Sequence, residues 1–390
     1  MGPTPDGNGE RANAEARGLF AARPQIRRLA LTLQGGGALG AYQAGVYQAL
    51  EEHGFAPDWV AGTSIGAING ALIAGTPPGA RTERLRAFWQ KVADRDCVES
   101  DGAPPAMRQW SGWLAACNAI LAGRPGFFTP RPPWMFNSEA PESLGFYDTA
   151  PLKETLLELV DFDRLNDGRT RLSVGAVHVR TGKLRYFDTR FQRIGPEHIM
   201  ASGALPPGFP PVRLDGELYW DGGIYSNTPL EIVLDDYPRV STLCFMVDLF
   251  DPAGAEPATI AEVLSRRKSI AYASRSRQHL EDYARVHNLR RAVQALYTRL
   301  SPELQQDPLV RKLAGLGCQT TMEVVHLGYA DRPWELETKD IDFSRCAIDA
   351  RWTKGYRDAC RVLERKPWLE PVPPGTGAVV HEITEGEGKP

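Results

Sequence analysis

Apolar and polar positions in the first quarter of the chain switch between two spacings. Leu29 to Leu33 is a short apolar run with polar flanks, the pattern of a buried strand. From Ala38 to Glu52 the apolar residues Leu39, Tyr42, Val46, Tyr47 and Leu50 recur at helical spacing. Pro57 ends that run, Asp58 to Ala61 starts a second short strand, and Ala67 to Ala74 is a helix of small residues. Each strand meets its helix through glycines: Gly35, Gly36, Gly37 and Gly40 in the first turn, Gly62-Thr63-Ser64-Ile65-Gly66 in the second. A right-handed βαβ unit puts both turns at the carboxyl ends of adjacent parallel strands, facing one crevice.

The same spacings run on down the chain. Thr82 to Val92 is an amphipathic helix with Leu85, Phe88 and Trp89 inward. Ala103 to Trp134 sets Trp110, Trp113, Phe127 and Phe128 among prolines; it reads as an irregular cap, or as a pocket wall or lid that touches lipid. Pro151 to Val160 is a helix. Arg171 to Val179 and Lys183 to Phe187 form a hairpin, which makes the sheet mixed. Pro196 to Ser202 is a short helix, Leu218 to Trp220 a strand that ends at Asp221, and Thr242 to Leu249 a buried strand. Beyond it the character changes. Ile260 to Leu300 is helical, with nine Lys or Arg between Arg266 and Arg299 against only Glu281 and Asp282. That is a solvated face or a dock for an anionic lipid surface. Met322 to Tyr329 reads as a strand and Ser344 to Arg365 as a helix.

The fold class is therefore α/β: a three-layer α/β/α sandwich with a mostly parallel, mixed sheet over 26–252, and a mainly helical C-terminal extension over 253–369. Residues 103–135 form the cap or lid insert. Residues 1–25 and 370–390 are polar and Gly-, Pro- or Glu-rich, and are expected to be disordered. The extension is expected to pack on the sheet edge or to carry a homo-oligomer contact.

Composition narrows the partners. With 390 residues, a net charge of −3 and a pI near 6.2, the chain has no whole-protein attraction to nucleic acid. No run of 18 apolar residues suggests a membrane span, and the first residues lack a signal-peptide core. The six cysteines (97, 117, 244, 318, 346 and 360) are scattered and read as reduced thiols, so a cytoplasmic location is expected, with peripheral contact to a membrane as a further expectation.

The two glycine turns carry the candidate chemistry. Ser64 is the middle of G-x-S-x-G, a strand-to-helix turn that exposes a strained serine hydroxyl at a helix N-terminus. Gly62 and Gly66 allow close approach of backbone and substrate. Gly35, Gly36 and Gly37, with Ile65, can direct several backbone N–H groups at one developing oxyanion. A rival reading is Gly35-x-Gly37-x-x-Gly40 as a dinucleotide fingerprint. That needs an acidic residue at the end of the second strand, whereas Asp58 precedes the strand. No His/Asp/Glu cluster has metal-ligand spacing, and no cofactor is expected.

Taken in order, Gly35–Gly40, Gly62–Gly66 and Asp221-Gly222-Gly223, with the linking segment from Ala201 to Val212, resemble the patatin-like phospholipases. The resemblance spans roughly residues 27–250. It implies a serine acyl hydrolase acting on lipid esters through an acyl-enzyme, with Ser64 as nucleophile, Asp221 as base, and Gly222 and Gly223 supporting the base loop. Leu39 departs from the pattern, since many members carry a basic residue there. A Ser–His–Asp arrangement would need one of His279, His287, His326 or His381, none of which lies in a glycine-bounded loop; His53 precedes Gly54 at a helix end. An intracellular polyester would offer the same carbonyl chemistry. A nucleotide-binding protein, or a lipid-surface binder without turnover, are the readings from other classes.

Overall fold

The computed structural model describes residues 26–94, 105–133, 140–273, 276–332, 335, 337–372 and 375–382. Eleven strands are assigned among them: β1 (Arg28–Leu33), β2 (Trp59–Thr63), β3 (Thr129–Pro130), β4 (Tyr147–Asp148), β5 (Arg171–His178), β6 (Leu184–Asp188), β7 (Val212–Leu214), β8 (Glu217–Asp221), β9 (Thr242–Asp248), β10 (Met322–Gly328) and β11 (Ala378–Glu382). Nine of them make one sheet in the order β11-β10-β9-β1-β2-β5-β8-β7, with β6 also paired to β5. The run from β11 to β5 is parallel, and β6, β7 and β8 join antiparallel. β3 and β4 form a separate ribbon.

Side-chain alternation on the strands makes the layers. On β1, Leu29, Leu31 and Leu33 join the larger core with the helices Ala41–Glu52 and Ile65–Ala74. Ala30 faces the other way, with Trp59, Cys244 and Met246, onto Leu280 and Tyr283 of the Ser276–Tyr297 helix. β1 and β9 thus bury both faces, which is why they read as nearly unbroken apolar runs.

The C-terminal third is built into this sheet. β10 continues it beyond β9, and the Arg345–Arg365 helix lies on Ala41–Glu52. Their axes approach at Gly45 and Gly355, where a Cβ would collide with the carbonyl oxygens of Trp352 and Tyr42 respectively.

Four expectations are corrected. Residues 378–382 are not a disordered tail: they pair with β10 as β11, and the amides of Gly377 and Ala378 donate to Asn288 Oδ1 at 2.6 and 3.1 Å. A short edge strand gains its hydrogen bonds from the neighbour, so its own composition carries little signal. Cys346 is disulfide-bonded, whereas Cys117, Cys244, Cys318 and Cys360 are free; linear spacing does not record pairing through space. The segment expected to be irregular holds an 18-residue helix, Pro105–Ala122. His381, expected in a polar tail, lies on β11 with Nε2 3.4 Å from Glu323 Oε2. Residues 1–25, 383–390 and Trp134 lie outside the described residues. Among the described residues, no helix is long and apolar enough to cross a membrane.

Candidate active site

Strand register brings the two turns and Asp221 together. Leu33 of β1 lies opposite Gly62 of β2, so the turns after both strands leave the same edge of the sheet. Thr63 pairs with Gly175 of β5, and the next β5 residue, Ala176, pairs with Asp221 of β8. Ser64 and Asp221, 157 positions apart in sequence, therefore end neighbouring ladders on either side of one strand.

Ser64 has φ +56° and ψ −122°, a backbone conformation that a residue with a Cβ rarely adopts. The elbow closes because Gly66 has no side chain; a Cβ there would collide with the Leu33 carbonyl oxygen. The Ser64 amide donates to Ser202 Oγ at 3.0 Å, and that hydroxyl donates to the Gly175 carbonyl at 2.6 Å. Ser202 thus ties the elbow to the strand that separates it from Asp221.

Asp221 is 2% exposed and accepts from the Gly223 amide at 2.7 Å. Burial pushes its carboxyl up and the facing Ser64 hydroxyl and the Gly223 amide pull it part of the way back, leaving it raised to about 7. Gly222 backs against the Gly175 carbonyl with no room for a Cβ.

The glycine loop divides in two. The Gly35 amide donates to the Asn227 carbonyl at 3.1 Å, and Asn227 Nδ2 donates back to the Gly35 carbonyl at 3.0 Å. Gly35 was expected among the oxyanion donors; its N–H is already engaged, so it anchors the loop instead. The amides of Gly36, Gly37 and Ile65 find no acceptor among the described residues. Gly37 has φ +52° and packs on the carbonyl oxygen of Asp340, from the C-terminal third.

These groups open into a cavity of about 280 Å³. Its walls are mostly apolar: Ile68, Ile120, Phe127, Phe128, Leu152 and Phe209 among them. Phe127, Phe128, Tyr147, Phe209 and Phe343 pack edge-to-face or tilted on one another with centroids 4.9 to 6.2 Å apart. No histidine lines the cavity. His279 is exposed, His287 Nε2 meets the Thr320 carbonyl at 2.9 Å, and His326 Nε2 meets Asp248 at 3.1 Å. His53 Nδ1 meets the Ala49 carbonyl at 2.8 Å. Asp58 accepts from the Leu29 amide at 2.7 Å, at the end of the strands away from the glycine loop. Among the described residues, no group of three His, Cys, Asp or Glu is placed to hold a metal ion.

Sequence reasoning missed Ser202, Asn227, Tyr272 and Asp340. Ser202 lies in the linking segment that carried part of the resemblance, so a signal existed. Nothing in the local pattern marks the other three.

A model of the patatin-like phospholipases matches residues 31–234, more than half of the chain, and a second one, described as a patatin phospholipase, matches residues 270–375. Patatin-like phospholipase domain-containing protein 6 of Homo sapiens is 48% identical over 63 residues, 16% of this chain and 5% of its own. An uncharacterized NTE family protein of Mycobacterium tuberculosis is 27% identical over 228 residues, 58% of this chain and 31% of its own. A cGAMP-activated phospholipase of Pseudomonas aeruginosa is 27% identical over 212 residues, 51% of this chain and 53% of its own. The chain thus spans from about a twentieth to about half of the length of these relatives.

Proposed function

The chain belongs to the patatin-like phospholipase family, and from that premise we propose that it hydrolyses acyl esters of lipids, with Ser64 as nucleophile and Asp221 as base. One observation carries the reading: the buried Asp221 carboxyl faces the strained Ser64 hydroxyl beside three unengaged backbone amides. Ser64 Oγ attacks the ester carbonyl while its proton passes to Asp221. The Gly36, Gly37 and Ile65 N–H groups receive the charge on the carbonyl oxygen. The leaving alcohol takes the proton from Asp221, and an acyl-enzyme remains. Water, deprotonated by Asp221, then releases the acid and restores Ser64. A free aspartate, with a pKa of about 3.9, is a weak base. Burial that lifts Asp221 to about 7 matches it better to this proton transfer.

The cavity supports a lipid acyl chain as substrate, since its lining is mainly aliphatic and aromatic. The Pro105–Ala122 helix adds to this. Ala119 and Ile120 line the cavity, while Met107, Trp110, Trp113, Leu114 and Leu121 are exposed. No charged residue occurs from Gln109 to Ala122, which suits contact with a lipid surface beside the site. The basic Ser276–Tyr297 helix is a weaker candidate for that contact. Its Arg291 donates to the Gln319 and Thr320 carbonyls, at the N-terminal end of β10, away from the edge that carries Ser64.

The test is fluorophosphonate labelling of wild type, Ser64→Ala and Asp221→Asn, with p-nitrophenyl esters of graded chain length alongside. Wild type should label and prefer longer acyl chains. Ser64→Ala should neither label nor turn over, and Asp221→Asn should lose turnover. Full esterase activity in Ser64→Ala would refute the reading.

A further inference from the structure

One wall of the cavity comes from the C-terminal third, from Tyr272, Asp340, Ile341 and Phe343. Tyr272 lies near the end of the Ile260–Ala273 helix, and its ring stacks on Phe250 at 5.2 Å and 27°. Phe250 in turn sits on Gly36, where a Cβ would come within 3.2 Å of the Phe250 ring. The Tyr272 carbonyl accepts from Gln34 Nε2 at 3.4 Å, and Gln34 Oε1 accepts from the Phe250 amide at 3.0 Å. The tyrosine is therefore placed on the oxyanion side of the cavity. Lys268, one turn earlier in the same helix, holds Asp340 Oδ1 at 2.6 Å and the Glu337 carbonyl at 3.0 Å, while the Asp340 backbone supports Gly37.

The Tyr272 hydroxyl has no hydrogen-bond partner among the described residues, and Tyr272 lines the cavity together with Ser64 and Asp221. Burial raises its pKa above the usual tyrosine value, and the Asp221 and Asp340 carboxylates add to that. The phenol stays protonated near neutral pH, so it offers a hydrogen-bond donor and not a base.

We propose that Tyr272 contacts the substrate directly, donating its O–H to the ester carbonyl oxygen alongside the Gly36 and Gly37 backbone N–H groups. The inference rests on the assignment of Ser64 and Asp221 made above. As the Ser64 Oγ–carbon bond forms, the carbonyl π pair moves onto oxygen and the hydrogen bond shortens. When the leaving group departs, the pair returns. Tyr272 keeps its proton throughout.

The experiment compares wild type with Tyr272→Phe, which retains the ring stack on Phe250. The expected result is a fall in kcat of about 10- to 100-fold, the range for a hydrogen bond to a charged group, with KM within about twofold and an unchanged melting temperature. Fluorophosphonate labelling should slow in parallel. A matched ester and thionoester give a readout that packing alone would not move. Wild type should prefer the oxygen ester, because sulfur accepts hydrogen bonds poorly, and Tyr272→Phe should lose much of that preference. Unchanged kcat, a loss confined to KM, or an intact ester preference would overturn the proposal. If wild type itself neither labels nor hydrolyses, the Ser64 assignment fails and takes this proposal with it. If wild type turns over and Tyr272→Phe matches it, only the tyrosine contact fails.

Discussion

The βαβ unit over residues 29–75 and the C-terminal third reach the same cavity by different routes. The first places Ser64, Gly36 and Gly37 through short connections between buried strands and buried helices. The second crosses the fold to arrive there, with Lys268 bound to Asp340 across 72 positions and Tyr272 stacked on Phe250. A site assembled from local turns is rigid and legible in sequence. One completed by a distant segment depends on packing that no short motif describes.

Changes at the local half should have the largest effects. Replacing Ser64 by Gly removes the proposed nucleophile and also relieves a Cβ held at φ +56°. Turnover should fall by at least about 1000-fold, while stability should rise by about 1 kcal/mol as the strain is lost. A calorimetric melting temperature at or below that of wild type would show that the elbow is not strained in solution.

Gly37→Ala strikes the seam between the two halves. Its φ of +52° disfavours a side chain, and the new Cβ would meet the Asp340 carbonyl. A loss of about 100-fold in turnover is expected, as for removal of one oxyanion donor, together with a lower melting temperature. Wild-type turnover would mean that the C-terminal third does not press on the loop.

Proton linkage at Asp221 gives a smaller and graded effect. Its folded pKa, raised from 3.8 to about 7, lies above the unfolded value. Its contribution to stability is therefore fully present below about pH 4 and is lost as pH rises through 7. Asp221→Asn should melt progressively higher than wild type between those limits, with the difference constant above pH 7. Wild-type kcat/KM should rise to a plateau above about pH 7, as the proposed base, Asp221, ionises. A pH-independent difference in melting temperature would place the carboxyl in a wetter setting.

The smallest effect is expected at the tether. Lys268→Met keeps the aliphatic stem but removes the ion pair to Asp340, in which both side chains are about four-fifths buried. Turnover should fall about threefold, as the wall carrying Asp340 and Tyr272 loosens, and labelling of Ser64 should persist. A loss as large as that of Gly37→Ala would mean that the distant half controls the local one.

Much of the architecture was legible because period and punctuation agree. β1, β2, β9 and β10 fall within a residue or two of their expected spans, and β5 and β6 form the hairpin expected of Arg171 to Val179 and Lys183 to Phe187. The Arg345–Arg365 helix begins after Ser344, whose hydroxyl accepts from the Ala347 amide. The Pro105–Ala122 helix was obscured by flanking prolines and by apolar side chains that stay exposed.

What the sequence determined by itself is local: strands of buried side chains, glycine turns that only certain backbone angles permit, and a serine at one of them. These follow from sterics within a few residues, where chain neighbours supply the constraint. Three things were decided only by the tertiary structure. Asp221 became a raised, buried carboxyl because β5 carries β2 on one edge and β8 on the other. The Gly35 amide is engaged because the Asn227 carbonyl reaches it from 192 positions away. Tyr272 came to face the cavity because an ion pair and a ring stack hold its helix there. Desolvation, register and long-range contact belong to the folded molecule, and a linear pattern does not carry them.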